Sequence, residues 1–163
     1  MEAGEETTTV TGTSKRGDVQ RFRMYETLLV GMDESESAHN ALEHAVELAQ
    51  AVEAALHVIT VIDSQTNPMK FGVTEVAELN RAKTTLVERI RQTVDNGELT
   101  AKIRRGDPPD ALLEYAAEID ADLLLVGQSG AGRLEAAMFG RTTEQLANQT
   151  QIPLTIVPPS NED

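Results

Sequence analysis

Five short apolar runs, separated by stretches of helical periodicity, restrict this chain to a small set of folds. The runs are Thr27–Met32 (TLLVGM), Ala55–Ile62 (ALHVITVI), Leu99–Arg104 (LTAKIR), Leu123–Val126 (LLLV) and Leu154–Val157 (LTIV). The first, second and fourth are nearly continuous in apolar residues, as strands are when both faces of a sheet are covered. Leu99–Arg104 alternates instead, which suits a half-exposed strand.

The intervening stretches read as helices. Ser35 or Ser37 can cap the first, which carries Ala38, Ala41, Leu42, Ala45, Leu48, Ala49 and Val52 on one stripe. Glu36, His39, Asn40, Glu43, Glu47 and Gln50 then face water. Asp63–Gly72 is a polar loop with Pro68 and Gly72. Val73–Val94 is a long helix with Val76, Leu79, Leu86, Val87, Ile90 and Val94 inward. Asp107 caps a third helix whose first turn accommodates Pro108 and Pro109, with Leu112, Leu113, Ala116 and Ile119 inward. Gly140–Asn148 is the fourth. Strands alternating with helices imply parallel β-α-β units with right-handed crossovers. The expected class is α/β: a single-domain, open, doubly wound, five-stranded parallel sheet.

A chain of 163 residues, 40% of them hydrophobic, is enough for one domain with a real core. Aromatics are only 3%, so the core is built from Val, Leu, Ile and Ala. Residues 1–23 are polar and without periodicity and are expected to form a mobile tail. The domain is expected over 24–160, with a C-terminal tail at 161–163. No apolar run approaches the roughly 20 residues of a membrane span, and the N-terminus lacks a signal-peptide core. With no cysteine, disulfides, thiol catalysis and thiolate metal sites are excluded. The default location is cytoplasmic.

Asp and Glu number 27 against 14 Lys and Arg, a net charge of -13. Such a surface repels nucleic acid, where affinity comes from neutralising phosphates. Lysines stand only at positions 15, 70, 83 and 102. A strongly acidic, lysine-poor surface suits a salt-rich, halophilic cytosol in which screening removes self-repulsion. It equally suits an ordinary acidic protein.

Chemistry concentrates after the fourth strand. Leu123–Val126 runs into Gly127, Gln128, Ser129 and Gly130; nine residues follow, and then comes Gly140, followed by Arg141, Thr142 and Thr143. Glycines at a strand's mouth let backbone approach a ligand with N–H groups directed at it. Two such turns can hold a polyphosphate between them. This spacing, G-x-x-G-x9-G, resembles the nucleotide-binding signature of the universal stress protein (UspA-like) family. A second segment, Asp33-Glu34-Ser35-Glu36-Ser37-Ala38, resembles the family's D-x-S-x-x-A after the first strand.

The resemblance covers almost all of the chain beyond residue 23. It implies strand order 3-2-1-4-5, with the ligand at the carboxyl ends of strands 1 and 4, the switch point of such a sheet. It implies binding of ATP or a related adenine nucleotide, with or without Mg2+, in a stress or regulatory role. Asp33 would contact the nucleoside, the backbone of Val61 and Ile62 the adenine, and Gly106 the ribose. Gly127, Gly130, Gly140, Arg141 and Thr142 would surround the phosphates. It also implies a homodimer through the edge strand 152–157. The ATP-binding branch places Ser or Thr after the last glycine, where this chain has Arg141. Arg141 either grips the phosphates or blocks them, and in the second case the protein dimerises without nucleotide.

Each residue has a plainer reading. Asp33 can brace its own loop, the glycines can be turn glycines, and Ser129, Thr142 and Thr143 can be surface or capping hydroxyls. Arg133 and Arg141 can be solvated charges, although two cations in so acidic a chain favour an anion beside them. A Walker-type site needs a lysine after the glycines, and none follows. Gly127-x-x-Gly130-x-Gly132 loosely resembles a dinucleotide fingerprint, which belongs after the first strand and not the fourth. His39, His44 and His57 form no metal pair and read as structural or solvated. No nucleophile-base pattern stands out, so at most weak ATP hydrolysis is expected, with Asp33 its one candidate base.

Overall fold

Alternation along the first strand, β1 (Thr27–Met32), decides the layering. Leu28, Val30 and Met32 enter one core and Leu29 the other, all buried. The computed structural model describes residues 24–63, 73–94, 99–128 and 140–160. The elements that follow β1 are α1 (Glu36–Val52), β2 (Ala55–Asp63), α2 (Val73–Thr93), β3 (Leu99–Gly106), α3 (Pro108–Glu118), β4 (Leu123–Gly127), α4 (Arg141–Gln149) and β5 (Leu154–Val157). The sheet order is β3-β2-β1-β4-β5, and every pairing is parallel. The expected class and strand order hold.

One core lies between the sheet and α1, with Leu86 of α2 at its margin. The other joins Leu29, Ile59, Leu124 and Val126 to Leu112 and Tyr115 of α3 and Leu146 of α4. β4 divides as β1 does, Leu123 and Leu125 to the first core and Leu124 and Val126 to the second.

Of the two candidate caps for α1, Ser35 is the N-cap; its Oγ accepts from the Ala38 N–H at 3.1 Å. Ser37 lies inside the first turn, 1% exposed. Asp107 stands at the N-cap of α3 without a side-chain capping bond, and its carbonyl accepts from Ala111 instead. The inward face expected for α2 is only partly buried. Leu86 is buried and Ile90 and Val94 pack on the core, but Val76, Leu79 and Val87 are exposed. The half-exposed edge strand β3 offers α2 too little apolar surface to cover more than one stripe.

A polar network locks α3 to β2 and β3. Arg104 donates to both carboxylate oxygens of Glu118, at 2.8 and 2.5 Å. Its guanidinium carbon lies 4.9 Å from the centroid of the Tyr115 ring, and the Tyr115 hydroxyl is 3.0 Å from His57 Nδ1. The Arg104 hydrogen bond lowers the Glu118 pKa, and Glu118 raises that of Arg104. Burial raises the Tyr115 pKa and lowers that of His57. His57 is therefore structural, as its place within a strand suggested.

Candidate functional site

The chain crosses from β1 to β2 on one side and joins β4 to β5 on the other, so a crevice opens where β1 and β4 diverge. A cavity of about 350 Å³ occupies it. Asp33 lines it from the end of β1, Val61 from β2 and Gly127 from the end of β4. Gly140, Arg141 and Thr142 line it from the start of α4. Six of the nine residues expected at a nucleotide site thus share one cavity, although Asp33 and Gly140 lie far apart in sequence.

Of the other three, Ile62 and Gly106 do not line it and Gly130 lies outside the described residues. Ile62 lines a neighbouring cavity of about 480 Å³ between the end of β2 and α2, and Met32, Asp33, Val61 and Asp63 border both. Gly106 ends β3 and lines neither of these cavities. Its φ of 155° is one that side chains rarely adopt, while a Cβ would meet only Ala111 Cβ at 3.8 Å. The glycine accommodates that φ at the end of β3, and the nearest protein atom leaves ordinary van der Waals space for a Cβ. Gly130, with Ser129, Gly132 and Arg133, lies outside the described residues, as do 1–23, 64–72 and 161–163.

Asp33 is oriented by the helix that follows it. Its Oδ1 accepts the Ser35 N–H at 2.8 Å and also the Ser35 hydroxyl. The bracing expected of a loop aspartate is therefore present, and it fixes the carboxylate at the cavity wall.

Gly127 is a glycine for a reason that its neighbours in sequence do not show. A Cβ there would stand 2.5 Å from the backbone nitrogen of Ala38 and 2.5 Å from Ser37 Oγ. The first turn of α1 packs directly on the end of β4. Backbone hydrogen bonds continue beyond it. Gln128 N–H donates to Val157 O at 2.8 Å, and Gly140 N–H donates to Gln128 O at 2.8 Å.

Gly140 is the N-cap of α4 and carries no side chain to satisfy the helix's first amides. The first intrahelical bond runs from Glu144 N–H to Gly140 O at 2.9 Å. Helix geometry leaves the amides of Arg141, Thr142 and Thr143 without an intrahelical acceptor, and helix N-termini favour anions. The Arg141 side chain is exposed and Thr142 half-buried. Thr143, expected as a surface or capping hydroxyl, is 4% exposed and donates to Gly127 O at 2.9 Å.

Two residues take places that the sequence reading did not give them. Asp63 was placed in the loop after the second strand, but it ends β2 and lines the cavity. The alternation Ile59, Val61, Asp63 is the signal that would have found it. Thr143 stands three residues before the buried Leu146, a weak helical signal of an inward face. Among the described residues, no three His, Asp or Glu side chains come together so as to hold a metal ion, and no helix is long and apolar enough to cross a membrane.

A sequence profile described as the universal stress protein family matches residues 24–158. The chain is 31% identical over 137 residues to the universal stress protein of Helicobacter pylori, covering 79% of this chain and 97% of that one. Its fold is similar to universal stress protein UspA from Lactobacillus plantarum, at 24% identity and a TM-score of 0.71, covering 82% and 97% of the two chains. It is also similar to a universal stress protein solved in complex with cAMP, at 26% identity and a TM-score of 0.63, covering 83% and 98%.

Proposed function

The chain belongs to the universal stress protein family, and on that premise we propose that it binds ATP or a related adenine nucleotide in a stress-response or regulatory role. Residues 24–160 act in this reading as one domain. The observation that carries it is the cavity at the sheet's switch point, with Asp33 on one wall and the start of α4 on another. The base lies along the apolar end of β2 at Val61 and Ile62, the nucleoside meets Asp33, and the phosphates meet the α4 N-terminus. The cAMP complex of a similar protein supports an adenine nucleotide. A mononucleotide fits sites of this size.

Arg141 favours a second reading. It lines the cavity directly after Gly140, so its side chain either meets a phosphate or takes the phosphate's place. In the second case the protein works as a dimer without nucleotide. The test is the nucleotide content of freshly purified protein, by denaturation and chromatography, with titration of ATP, AMP and cAMP. An adenine nucleotide approaching one per chain is expected. Protein that carries none and binds none of the three when titrated leaves the nucleotide-free reading.

A further inference from the structure

β2 reaches further than β1. Met32, the last residue of β1, pairs with Thr60, so Val61, Ile62 and Asp63 project beyond it. Side chains alternate along β2. Val58 enters the core that Leu86 of α2 joins and Ile59 enters the other, so Thr60 and Ile62 face α2. The helix does not fill the space beside them. A cavity of about 480 Å³ is lined by Met32, Thr60 and Ile62 on the strand side and by Ala82, Thr85 and Leu86 on the helix side. Thr60, Ile62, Ala82 and Thr85 are only half-buried. Every one of these six side chains is apolar or carries a methyl group, and small-molecule sites are built in spaces of this size and lining.

The rim is charged. Arg81 of α2 meets Glu34, Nε to Oε1 at 3.3 Å, and Arg105 meets Glu78 at 3.5 Å. Among the described residues, Asp33, Glu34, Asp63 and Glu78 border the cavity against one cation, Arg81. Counting Arg105 as well leaves the rim net negative. An anion entering here would give up its hydration and meet repulsion. An uncharged or cationic apolar molecule meets neither obstacle, and it takes the half-buried apolar side chains out of water.

We propose that the space between β2 and α2 is a second binding compartment, separate from the crevice at the switch point, and that it takes an apolar small molecule that is uncharged or cationic. The two cavities share Met32, Asp33, Val61 and Asp63, so their occupants lie side by side. The assignment does not depend on nucleotide binding.

The test is fluorescence titration with N-phenyl-1-naphthylamine and with 8-anilinonaphthalene-1-sulfonate, the same fluorophore without and with an anionic group. The neutral dye should saturate at one per chain and bind about tenfold or more tightly than the sulfonate. Ala82→Phe fills the cavity from the helix side and should weaken the neutral dye by about tenfold or more. Thr85→Phe should do the same, and it carries the comparison should Ala82→Phe fail to fold. Val87→Asp, on the exposed face of the same helix, should leave the dye's affinity unchanged. Absence of saturable binding overturns the assignment, as do equal affinities for the two dyes and binding that persists in folded Ala82→Phe and Thr85→Phe. Loss of the dye in Val87→Asp would place it on the outer face of α2. Displacement of the dye by saturating AMP would make the cavity part of the nucleotide site and overturn its separateness. Protein that binds the dye as expected but no nucleotide sinks the nucleotide reading alone.

Discussion

The hydroxyl of Thr143 donates to the carbonyl oxygen of Gly127 at 2.9 Å, tying the first turn of α4 to the end of β4 across the candidate site. Thr143 is buried, so Thr143→Val keeps the shape and strands the carbonyl. The expected loss is about 1–3 kcal/mol in urea unfolding, with Thr143→Ser losing less. A Thr143→Val protein as stable as the parent would show that water replaces the hydroxyl.

Gly127→Ala and Gly31→Ala should differ in severity. At Gly127 the added carbon meets backbone 2.5 Å away, and α1 must shift to admit it. At Gly31 the nearest atom is Leu112 Cδ2 at 3.0 Å, the far end of a flexible side chain. Overpacking costs of about 1–3 kcal/mol are expected at Gly127, and smaller ones at Gly31. The reverse order in urea midpoints would contradict the packing of α1 on β4.

Arg141→Ser restores the hydroxyl that the ATP-binding branch carries at this position. With Arg141 meeting a phosphate, ATP affinity should fall by about 1.5–3 kcal/mol, read by titration at fixed salt. A rise in affinity would instead favour the nucleotide-free reading.

Acid should weaken the fold in two windows. Burial holds the His57 pKa below its ordinary 6.5, so the unfolded chain binds the proton more tightly. The stability from neutral His57 is whole above 6.5 and declines as pH falls toward the lowered folded value. Glu118 is held below its ordinary 4.5 by Arg104, so its contribution is present above 4.5 and is lost as pH falls through the lowered value. Urea midpoints of the parent and His57→Gln, followed from pH 7.5 to 5, test the first window. The parent's decline below 6.5 should flatten in the variant, and parallel curves would assign the decline elsewhere.

β5 lies at the sheet's edge. Pro153 and Val157 turn their carbonyls to β4, accepting from Leu124 and Gln128. By the alternation of a parallel ladder, the backbone of Leu154 and Ile156 faces outward. We propose that this edge pairs with its copy in a homodimer through residues 152–157. Ile156 also packs against the second core, so a charge placed there would disturb both fold and edge. Ile156→Pro removes the outward N–H while leaving the ladder to β4 intact. Light scattering should show dimers for the parent and monomers for the variant at micromolar concentration in molar salt. A monomeric parent ends the idea.

Sequence alone determined the class, the strand order through resemblance, and the crevice that brings Asp33 to Gly127 and Gly140. The class follows from local signals, continuous apolar runs and helical periodicity; the order and the crevice follow from the resemblance carried by the glycine spacing and the Asp33 segment. The ends and exposures of elements came from elsewhere. β2 and β3 run on to Asp63 and Gly106 because each supplies the other's backbone hydrogen bonds, whatever the polarity of the side chains. Half of the α2 stripe stays in water because an edge strand has little apolar surface to offer it. Only tertiary contact decided that Gly127 must lack a side chain, that Thr143 turns inward and that Asp63 stands on the cavity wall. Each depends on what an element distant in sequence places beside it, and no local pattern of residue types carries that information.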